Sequence, residues 1–367
     1  MINKNNLTLI KNELNVLKNF ENIIFPKRAS FGLYSVLKAF VKNQKNVKVA
    51  LPGIVCPDVL ISIMKANCVP FFCDINLKDG LISKHEIDRA ISQGVKIFII
   101  VNLYGNVFNF TKISEIINDK KYLVINDSAQ SLGSMLHNKY AHLYGDVTLI
   151  SFGKSKHING GGGMILIKSN ELFKNSKSIL LKNKLQLSSR SKNIKIINKF
   201  YKNKKKYLDS GNRYFFNGTY DNYLKYFFNI FDPNTNFKKN VSQIINLEKD
   251  KSLRISKMKY IKENLSKNFT IINFNSNINP WRCTFRLVGS KYSSQNLLSE
   301  TIRKKNIKLS NWYMPVYWFF EEFNDIYLKN TEKLTTEIFQ LWIDESNSLN
   351  QIKNQIKCIN RNLKLIL

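Results

Sequence analysis

Acidic residues are scarce in this sequence. Only 26 aspartates and glutamates stand against 57 lysines and arginines, so the formal net charge of the 367-residue chain is +31 at pH 7. An excess of this size is typical of proteins that bind nucleic acid or an acidic membrane surface. The lysines, however, are spread along the whole chain, and the one dense basic run, 202–206, predicts a solvated surface. We therefore expect no nucleic-acid partner and keep a basic nucleic-acid-binding protein as the alternative of another class.

Long apolar runs and regularly spaced cysteines are also missing. No segment approaches the roughly 20 apolar residues of a membrane-spanning helix, and residues 1–13 lack the apolar core of a signal peptide. The cysteines are odd in number and irregular in spacing, which predicts buried thiols in a reducing compartment and no metal site. We expect a cytoplasmic protein without a membrane partner. The five cysteines are Cys56, Cys68, Cys73, Cys283 and Cys358.

Strand patterns alternate with helical patterns through the first half of the chain. Residues 69–74 and 96–104 are typical of strands, and residues 83–91 and 111–117 are typical of helices. This alternation predicts an α/β fold with a mostly parallel sheet flanked by helices. Right-handed crossovers then place the carboxyl ends of the strands on one side of the sheet.

The length of the chain suits two domains rather than one small core. A long helical pattern begins at Val241, and after it residues 281–288 alternate like a strand while 297–307 and 350–365 are typical of helices. We predict a large domain over residues 1–245 and a smaller C-terminal α+β domain over residues 246–367. The aromatic-rich segment 214–228 is interpreted as core or subunit interface, since it lacks an RNA-binding motif.

Polar side chains follow the apolar runs near the middle of the chain. Residues 122–125 predict a buried strand that leads to Asp127, and residues 147–152 predict another that leads to Ser151 and then Lys156. Ligands of α/β sheets bind at the carboxyl ends of the strands, so these side chains are candidates for one site. An acid, a hydroxyl and an amine in this arrangement suit pyridoxal 5'-phosphate (PLP) chemistry. There a lysine bonds the cofactor aldehyde and a carboxylate keeps the ring nitrogen protonated.

Several motifs in residues 25–170 resemble one family. Asn-Asp-Ser-Ala-Gln-Ser-Leu-Gly at 126–133 is followed by Gly145-Asp146, by Ser151-Phe152 with a lysine five positions after the serine, and by glycines 160–163. Upstream, residues 49–74 and Asn-Leu-Tyr-Gly at 102–105 fit the same pattern. The chain resembles the DegT/StrS group of nucleotide-sugar aminotransferases. These are PLP enzymes of fold type I, the fold of aspartate aminotransferase.

The resemblance implies a role for each matching residue. Asp127 would pair with the pyridine nitrogen, Lys156 would bond the cofactor and move the proton, and Ala129 would lie against the ring. Gln130 would bond the ring hydroxyl. The phosphate would be bound by Ser30 and Ser151, and Asn236 would reach the cofactor of a neighbouring subunit, which implies a homodimer. Residues 311–315 resemble the group's loop on the substrate side.

Departures from the family pattern leave alternatives open. Ala29 replaces a glycine of the phosphate turn, Ile54 and Val55 stand where an aromatic residue is usual, and the glycine loop is one residue short. Counting from Ser151 selects Lys156 rather than Lys154. Some members of the group carry histidine in place of the lysine and dehydrate sugars, and here a histidine follows Lys156 directly.

The resemblance implies a PLP-dependent aminotransferase. Its substrates would be an amino-acid donor, such as glutamate, and a nucleotide-linked keto-sugar, used for a polysaccharide or a secondary metabolite. A PLP-dependent sugar dehydratase and a catalytically inactive member of the family remain alternatives.

Overall fold

The structure is a computed structural model. It describes residues 21–183, 185–187, 190–230, 235–273, 275, 277–312 and 314–366. The first 20 residues of the predicted large domain and residue 313 of the predicted substrate-side loop lie outside these ranges.

A seven-stranded sheet forms the centre of the large N-terminal part. Its order is β1-β7-β6-β5-β4-β2-β3; β2 to β6 pair in parallel, while β1 and β7 pair antiparallel. The strands are β1 (Ile23–Ile24), β2 (Lys48–Pro52), β3 (Val69–Cys73), β4 (Ile97–Val101), β5 (Leu123–Asp127), β6 (Val147–Ser151) and β7 (Gly163–Ile167).

Apolar strands in the middle of this sheet are buried on both faces. Every residue of β4, Ile-Phe-Ile-Ile-Val, and of β5 and β7 is buried. Continuous burial is expected where helices cover both faces of a parallel sheet. The helices of this part are Ala29–Val41, Pro57–Lys65, Lys84–Ser92, Ser114–Asn118, Asn170–Lys182, Arg190–Ser210, Asp221–Lys225 and Phe237–Ile245.

A smaller antiparallel sheet follows in the C-terminal part. Its order is β8-β9-β11-β10, from Phe269–Ile271, Cys283–Leu287, Ile338–Leu341 and Leu309–Ser310 respectively. It has its own apolar cluster, in which Phe285 stacks on Phe339. The helices of this part are Leu247–Asn264, Tyr292–Arg303, Lys329–Glu337 and Leu349–Asn362. The predicted fold class is confirmed, while the boundary at residue 245 stays a prediction.

Asp74 joins the two parts. Its carboxylate accepts hydrogen bonds from the backbone N–H of Ile75 at 2.9 Å, of Asn330 at 2.9 Å and of Thr331 at 2.8 Å. One acid therefore follows β3 and also holds the start of the helix Lys329–Glu337, where Thr331 lies beside Gly53 at the end of β2.

Aromatic side chains from residues 200–228 fill the space between the two parts. Phe216 is buried and packs within 6.0 Å of the rings of Phe200, Trp318 and Phe319. Phe227 is buried as well. The interpretation of this segment as core is confirmed for these two residues, although Tyr214 remains 53% exposed. Among the described helices, none combines the length and the hydropathy that crossing a membrane requires.

Candidate active site

A cavity of about 190 Å³ opens at the carboxyl ends of β5 and β6. The topology predicts a site here, because ligands of parallel sheets bind beyond the ends of the strands. Most of the residues that the sequence assigned to the site line this cavity. They are Ser30, Asp127, Ala129, Gln130, Ser151 and Lys156.

Asp127 is the last residue of β5 and is 5% exposed. One carboxylate oxygen accepts the N–H of Ala129 at 3.0 Å. Burial raises the pKa of this carboxyl group, and the charge of Lys156 and the hydrogen bond from Ala129 oppose the increase. The acid therefore lies in a site of low polarity, where a nearby cation or N–H donor stabilises the ionised form strongly.

Lys156 reaches the same cavity through a tight turn after β6. Its N–H donates to the carbonyl of Gly153 at 2.8 Å, and its Nζ lies 5.3 Å from the centre of the Trp281 ring. Burial is the main cause that lowers the pKa of this amine, and the charge of Arg282 lowers it further. A larger neutral fraction makes the amine a better nucleophile at neutral pH.

Lys154 and His157 occupy different positions. Lys154 is exposed and borders a neighbouring cavity of about 270 Å³ together with His157. His157 is buried, its Nε2 lies 3.2 Å from the carbonyl oxygen of Gln130, and burial lowers its pKa well below the ordinary value. Neither residue lines the cavity that contains Asp127. Lys156, which the count selected, does line that cavity, and its role in bonding the cofactor stays a prediction.

The helix Ala29–Val41 points its N-terminus at the cavity. Arg28 is its N-cap, and within the described part of the chain no side chain caps this end. The hydroxyl of Ser30 is buried and has no hydrogen-bond partner among the described residues. A free helix N-terminus beside an unsatisfied hydroxyl is a fitting site for a phosphate group.

Gly163 explains why Ala29 is tolerated where the family has glycine. A methyl group added at Gly163 would lie 2.9 Å from the Cβ of Ala29 and 2.9 Å from the carbonyl oxygen of Ile150. The alanine methyl occupies this space because β7 begins with a residue that has no side chain. The adjacent Gly162 has a φ of 86°, pairs with Arg28 as an isolated bridge and lines the cavity.

Ser151 and Gln130 already make hydrogen bonds within the chain. The hydroxyl of Ser151, at the end of β6, accepts the N–H of Gly153 at 3.4 Å. The Oε1 of Gln130 accepts the N–H of Tyr104 at 2.8 Å, which anchors the segment 102–105 beside the site. Both side chains border the cavity, so each is available to a bound group.

Val55 forms part of the wall where the family has an aromatic residue. It is 1% exposed and lines the cavity, as Ala129 does. Ile54 is buried but lies outside the lining. Val55, one of the two residues that the sequence singled out, is therefore positioned for an aliphatic contact with a bound ring.

Asn236 lies outside the cavity. It caps the helix Phe237–Ile245, where its Oδ1 accepts the N–H of Lys239 at 3.0 Å. Its own N–H donates to the carbonyl of Gly160 at 2.7 Å. Asn236 thus holds the glycine loop through the backbone of Gly160. Its role toward a neighbouring subunit stays a prediction.

Sequence reasoning missed several residues that border the site. The guanidinium of Arg28 lies 3.3 Å from Asp58 and 3.1 Å from the hydroxyl of Tyr223. Cys56 is nearby, and burial raises the pKa of its thiol to about 12, so the thiol is protonated at neutral pH. Trp281 comes from the C-terminal part. These contacts join residues far apart in the chain, and no local motif could have indicated them.

Together these groups fit the cofactor that the sequence predicts. The carboxylate, the amine, the uncapped helix end and the unsatisfied hydroxyl all face one cavity. A planar aldehyde with a ring nitrogen and a phosphate would find a partner for each of its functional groups. A second, larger chamber of about 710 Å³ adjoins this cavity and shares Cys56 and Asp58 with it.

Comparison with known proteins places the chain in a family. The model of the DegT/DnrJ/EryC1/StrS aminotransferase family matches residues 24–214. The 3-oxo-glucose-6-phosphate:glutamate aminotransferase of Bacillus subtilis is 32% identical over 115 residues, 31% of this chain and 25% of the relative. The GDP-4-keto-6-deoxy-D-mannose 3-dehydratase of Escherichia coli O55:H7 is 30% identical over 103 residues, 28% of this chain and 26% of the relative.

Similarity of the fold extends over the whole chain. The matches to these two curated relatives span only about a quarter of each relative's length. By contrast, the PLP form of a putative sugar aminotransferase from Streptococcus pneumoniae superposes with a TM-score of 0.77 at 14% identity, over 100% of this chain and 93% of that one. The family match over residues 24–214, together with the shared fold and the position of the motif residues in one cavity, leads to one conclusion: the chain belongs to the DegT/DnrJ/EryC1/StrS aminotransferase family.

Proposed function

We propose that this protein is a PLP-dependent aminotransferase that transfers an amino group from an amino acid to a keto-sugar. The observation that carries the proposal is the placement of Asp127 and Lys156 in one cavity, beside the uncapped N-terminus of the helix Ala29–Val41. The family to which the chain belongs supports the reaction type.

Each part of the cavity would hold one part of PLP. The hydroxyl groups of Ser30 and Ser151 and the first turn of the helix would bind the phosphate. Asp127 would accept a hydrogen bond from the protonated ring nitrogen, while Val55 and Ala129 would contact the ring. When bound, PLP supplies an electron sink that lets an amino group move between two carbon skeletons.

Lys156 has two tasks in this proposal. Its amine would bond the cofactor aldehyde, and for this it must lose its proton, which the lowered pKa favours. Once released by a substrate amine, the Lys156 amine would remain in the cavity and would be placed to act as the base that moves the proton between the substrate carbon and the cofactor carbon. Asp127 would stay ionised beside a cation and would stabilise positive charge on the ring nitrogen.

The second chamber would receive the substrates. It adjoins the cofactor cavity at Cys56 and Asp58 and is large enough for a sugar. The matched relatives' names include a sugar phosphate and a nucleotide-linked sugar, which supports a keto-sugar acceptor, and one name includes glutamate as donor. We further propose a cytoplasmic homodimer in which Asn236 faces the cofactor of the partner subunit.

An assay of the products tests the proposal. The PLP-loaded protein is incubated with glutamate and a panel of nucleotide-linked keto-sugars, and 2-oxoglutarate is measured together with the mass of the sugar. Amino transfer predicts equal amounts of 2-oxoglutarate and amino-sugar. A dehydrated sugar without an added nitrogen would instead identify a dehydratase, and no turnover across the panel would favour an inactive member of the family.

A further inference from the structure

Two cations converge on one amide oxygen in the larger chamber. The Oδ1 of Asn311 accepts the Nζ of Lys204 at 3.0 Å and an Nη of Arg303 at 2.9 Å. All three residues line the chamber of about 710 Å³. Asn311 is 1% exposed, so the acceptor that holds the pair lies inside the protein.

Neither cation forms an ion pair with an acid in the part of the chain that the structure describes. Across the residues that the structure describes, no carboxylate lies within 4.0 Å of Lys204 or Arg303. Glu300 is the acid whose charge acts on both, and it is exposed. Two like charges held together in a half-buried site destabilise the folded protein unless an anion compensates for them.

Local structure explains the position of Arg303 but not that of Lys204. Arg303 is the last residue of the helix Tyr292–Arg303, and its Nε donates to the carbonyl of Leu309 at 2.7 Å. Its positive charge also interacts favourably with the negative end of the helix dipole. Lys204 comes from a different helix, Arg190–Ser210, and points into the chamber instead of into solvent. Its neighbours Lys202 and Lys205 on that helix are exposed.

We propose that Lys204 and Arg303 form an oxyanion subsite that binds a phosphoryl group of the sugar substrate. The subsite rests on the proposed function, because it lies in the chamber assigned to the sugar. The rest of that chamber suits a sugar ring, since Phe200, Trp312 and Trp342 supply flat apolar surface. Two cations match the two negative charges of a phosphate better than the single charge of a carboxylate.

The protonation state of Lys204 should make anion binding at this subsite depend on pH. Burial, with a further contribution from Arg303, lowers the pKa of the Lys204 amine to about 8, and Glu300 opposes the change. These two groups, both on the helix Tyr292–Arg303, are the charges that act on the amine within the described structure. Above pH 8 the amine becomes neutral, and the subsite loses one of its two charges.

Calorimetric titration of the PLP-loaded protein with inorganic phosphate tests the subsite, because bound PLP blocks phosphate from the first cavity. At pH 7 we expect Lys204→Met to weaken phosphate binding about tenfold or more, while Lys205→Met leaves it unchanged. Lys204→Arg should retain binding at pH 7 and also at pH 9, where the unmodified protein binds about tenfold more weakly. Thermal melting checks that each variant is folded.

The outcomes separate the subsite from the function of the enzyme. Equal binding by Lys204→Met and the unmodified protein, or acetate binding as tightly as phosphate at the same ionic strength, would overturn the phosphoryl subsite. The visible absorbance of the bound cofactor and the release of 2-oxoglutarate are measured on the same samples. If these persist while phosphate binding does not depend on Lys204, only the subsite is wrong. If turnover is absent while the dependence on Lys204 holds, only the proposed function is wrong.

Discussion

Asp127 and Lys156 line one cavity, although they follow different strands of the sheet, and each charge stabilises the other. Burial shifts both pKa values toward the neutral forms, and the mutual attraction opposes both shifts. When PLP binds, the Lys156 amine would become bonded to the aldehyde and would no longer pair with Asp127. The carboxylate would then be available to stabilise the N–H of the ring.

Removing the acid should abolish turnover and leave the cofactor attached. Asp127→Asn keeps the shape of the side chain but cannot keep the ring nitrogen protonated, so we expect kcat to fall about 100-fold or more. The measurement is the rate of 2-oxoglutarate release at saturating glutamate, with cofactor content determined from absorbance. Asp119→Asn, at an exposed ion pair with Lys121, is the control. Unchanged kcat in Asp127→Asn would show that this carboxylate has no role in the chemistry.

Arg282 should control how readily Lys156 reacts. Its guanidinium lies 3.8 Å from the centre of the Trp281 ring and 3.5 Å from that of Trp342, and its charge lowers the pKa of Lys156. Arg282→Met removes that charge, so the pKa of Lys156 rises and a smaller fraction is neutral at a given pH. We expect the pH at which the apo protein takes up PLP at half its maximal rate to increase.

The control for this shift is Arg361→Met, on the exposed face of the last helix. It should leave the pH profile of PLP uptake unchanged. If Arg282→Met lowers the rate equally at every pH, Arg282 acts by packing and not by its charge.

The contact between Ala29 and Gly163 should be sensitive to one methyl group. In Gly163→Ala the new Cβ would lie too close to Ala29 and to Ile150, so we expect a loss of about 1–3 kcal/mol in the free energy of unfolding. Urea denaturation measures it. The double variant Ala29→Gly/Gly163→Ala relieves the first contact and should recover part of the loss. A double variant as unstable as Gly163→Ala would show that Ala29 does not set the limit.

Acid should destabilise the protein partly through His142. This histidine is 2% exposed, its ring nitrogens have no partner among the described residues, and burial lowers its pKa to about 4. An unfolded histidine has a pKa near 6.5, so the unfolded state binds the proton first as the pH falls. The stability that depends on a neutral His142 is fully present above pH 6.5. As the pH falls toward 4, the free energy of unfolding decreases progressively by about 3 kcal/mol.

Comparison of unfolding free energies at pH 7 and pH 4.5 tests this contribution. His142→Phe keeps the ring that stacks on Tyr140 and removes the titrating group, so its stability should depend less on pH. His85→Phe, at a side chain that is 86% exposed, should keep the pH dependence of the unmodified protein. Equal slopes for all three proteins would contradict the assignment to His142.

The sequence predicted those features of the site that depend on local patterns along the chain. Asp127 and Lys156 could be paired in advance because each follows an apolar run, and the ends of parallel strands lie on one side of a sheet. The tolerance of Ala29 could not be predicted, because it depends on direct contact with Gly163, which is far away in the sequence. The convergence of Lys204 and Arg303 on Asn311 joins two helices and a strand end, and no periodicity relates such positions.

The covalent link between PLP and Lys156 is the central claim, and reductive labelling tests it most directly. The purified protein is treated with borohydride, digested, and searched by mass spectrometry for the peptide that carries the reduced cofactor. We predict that Lys156 carries the label, that Lys154→Ala remains yellow and labelled, and that Lys156→Ala is neither. A label on Lys154, or a colourless protein that does not take up PLP, would contradict the account.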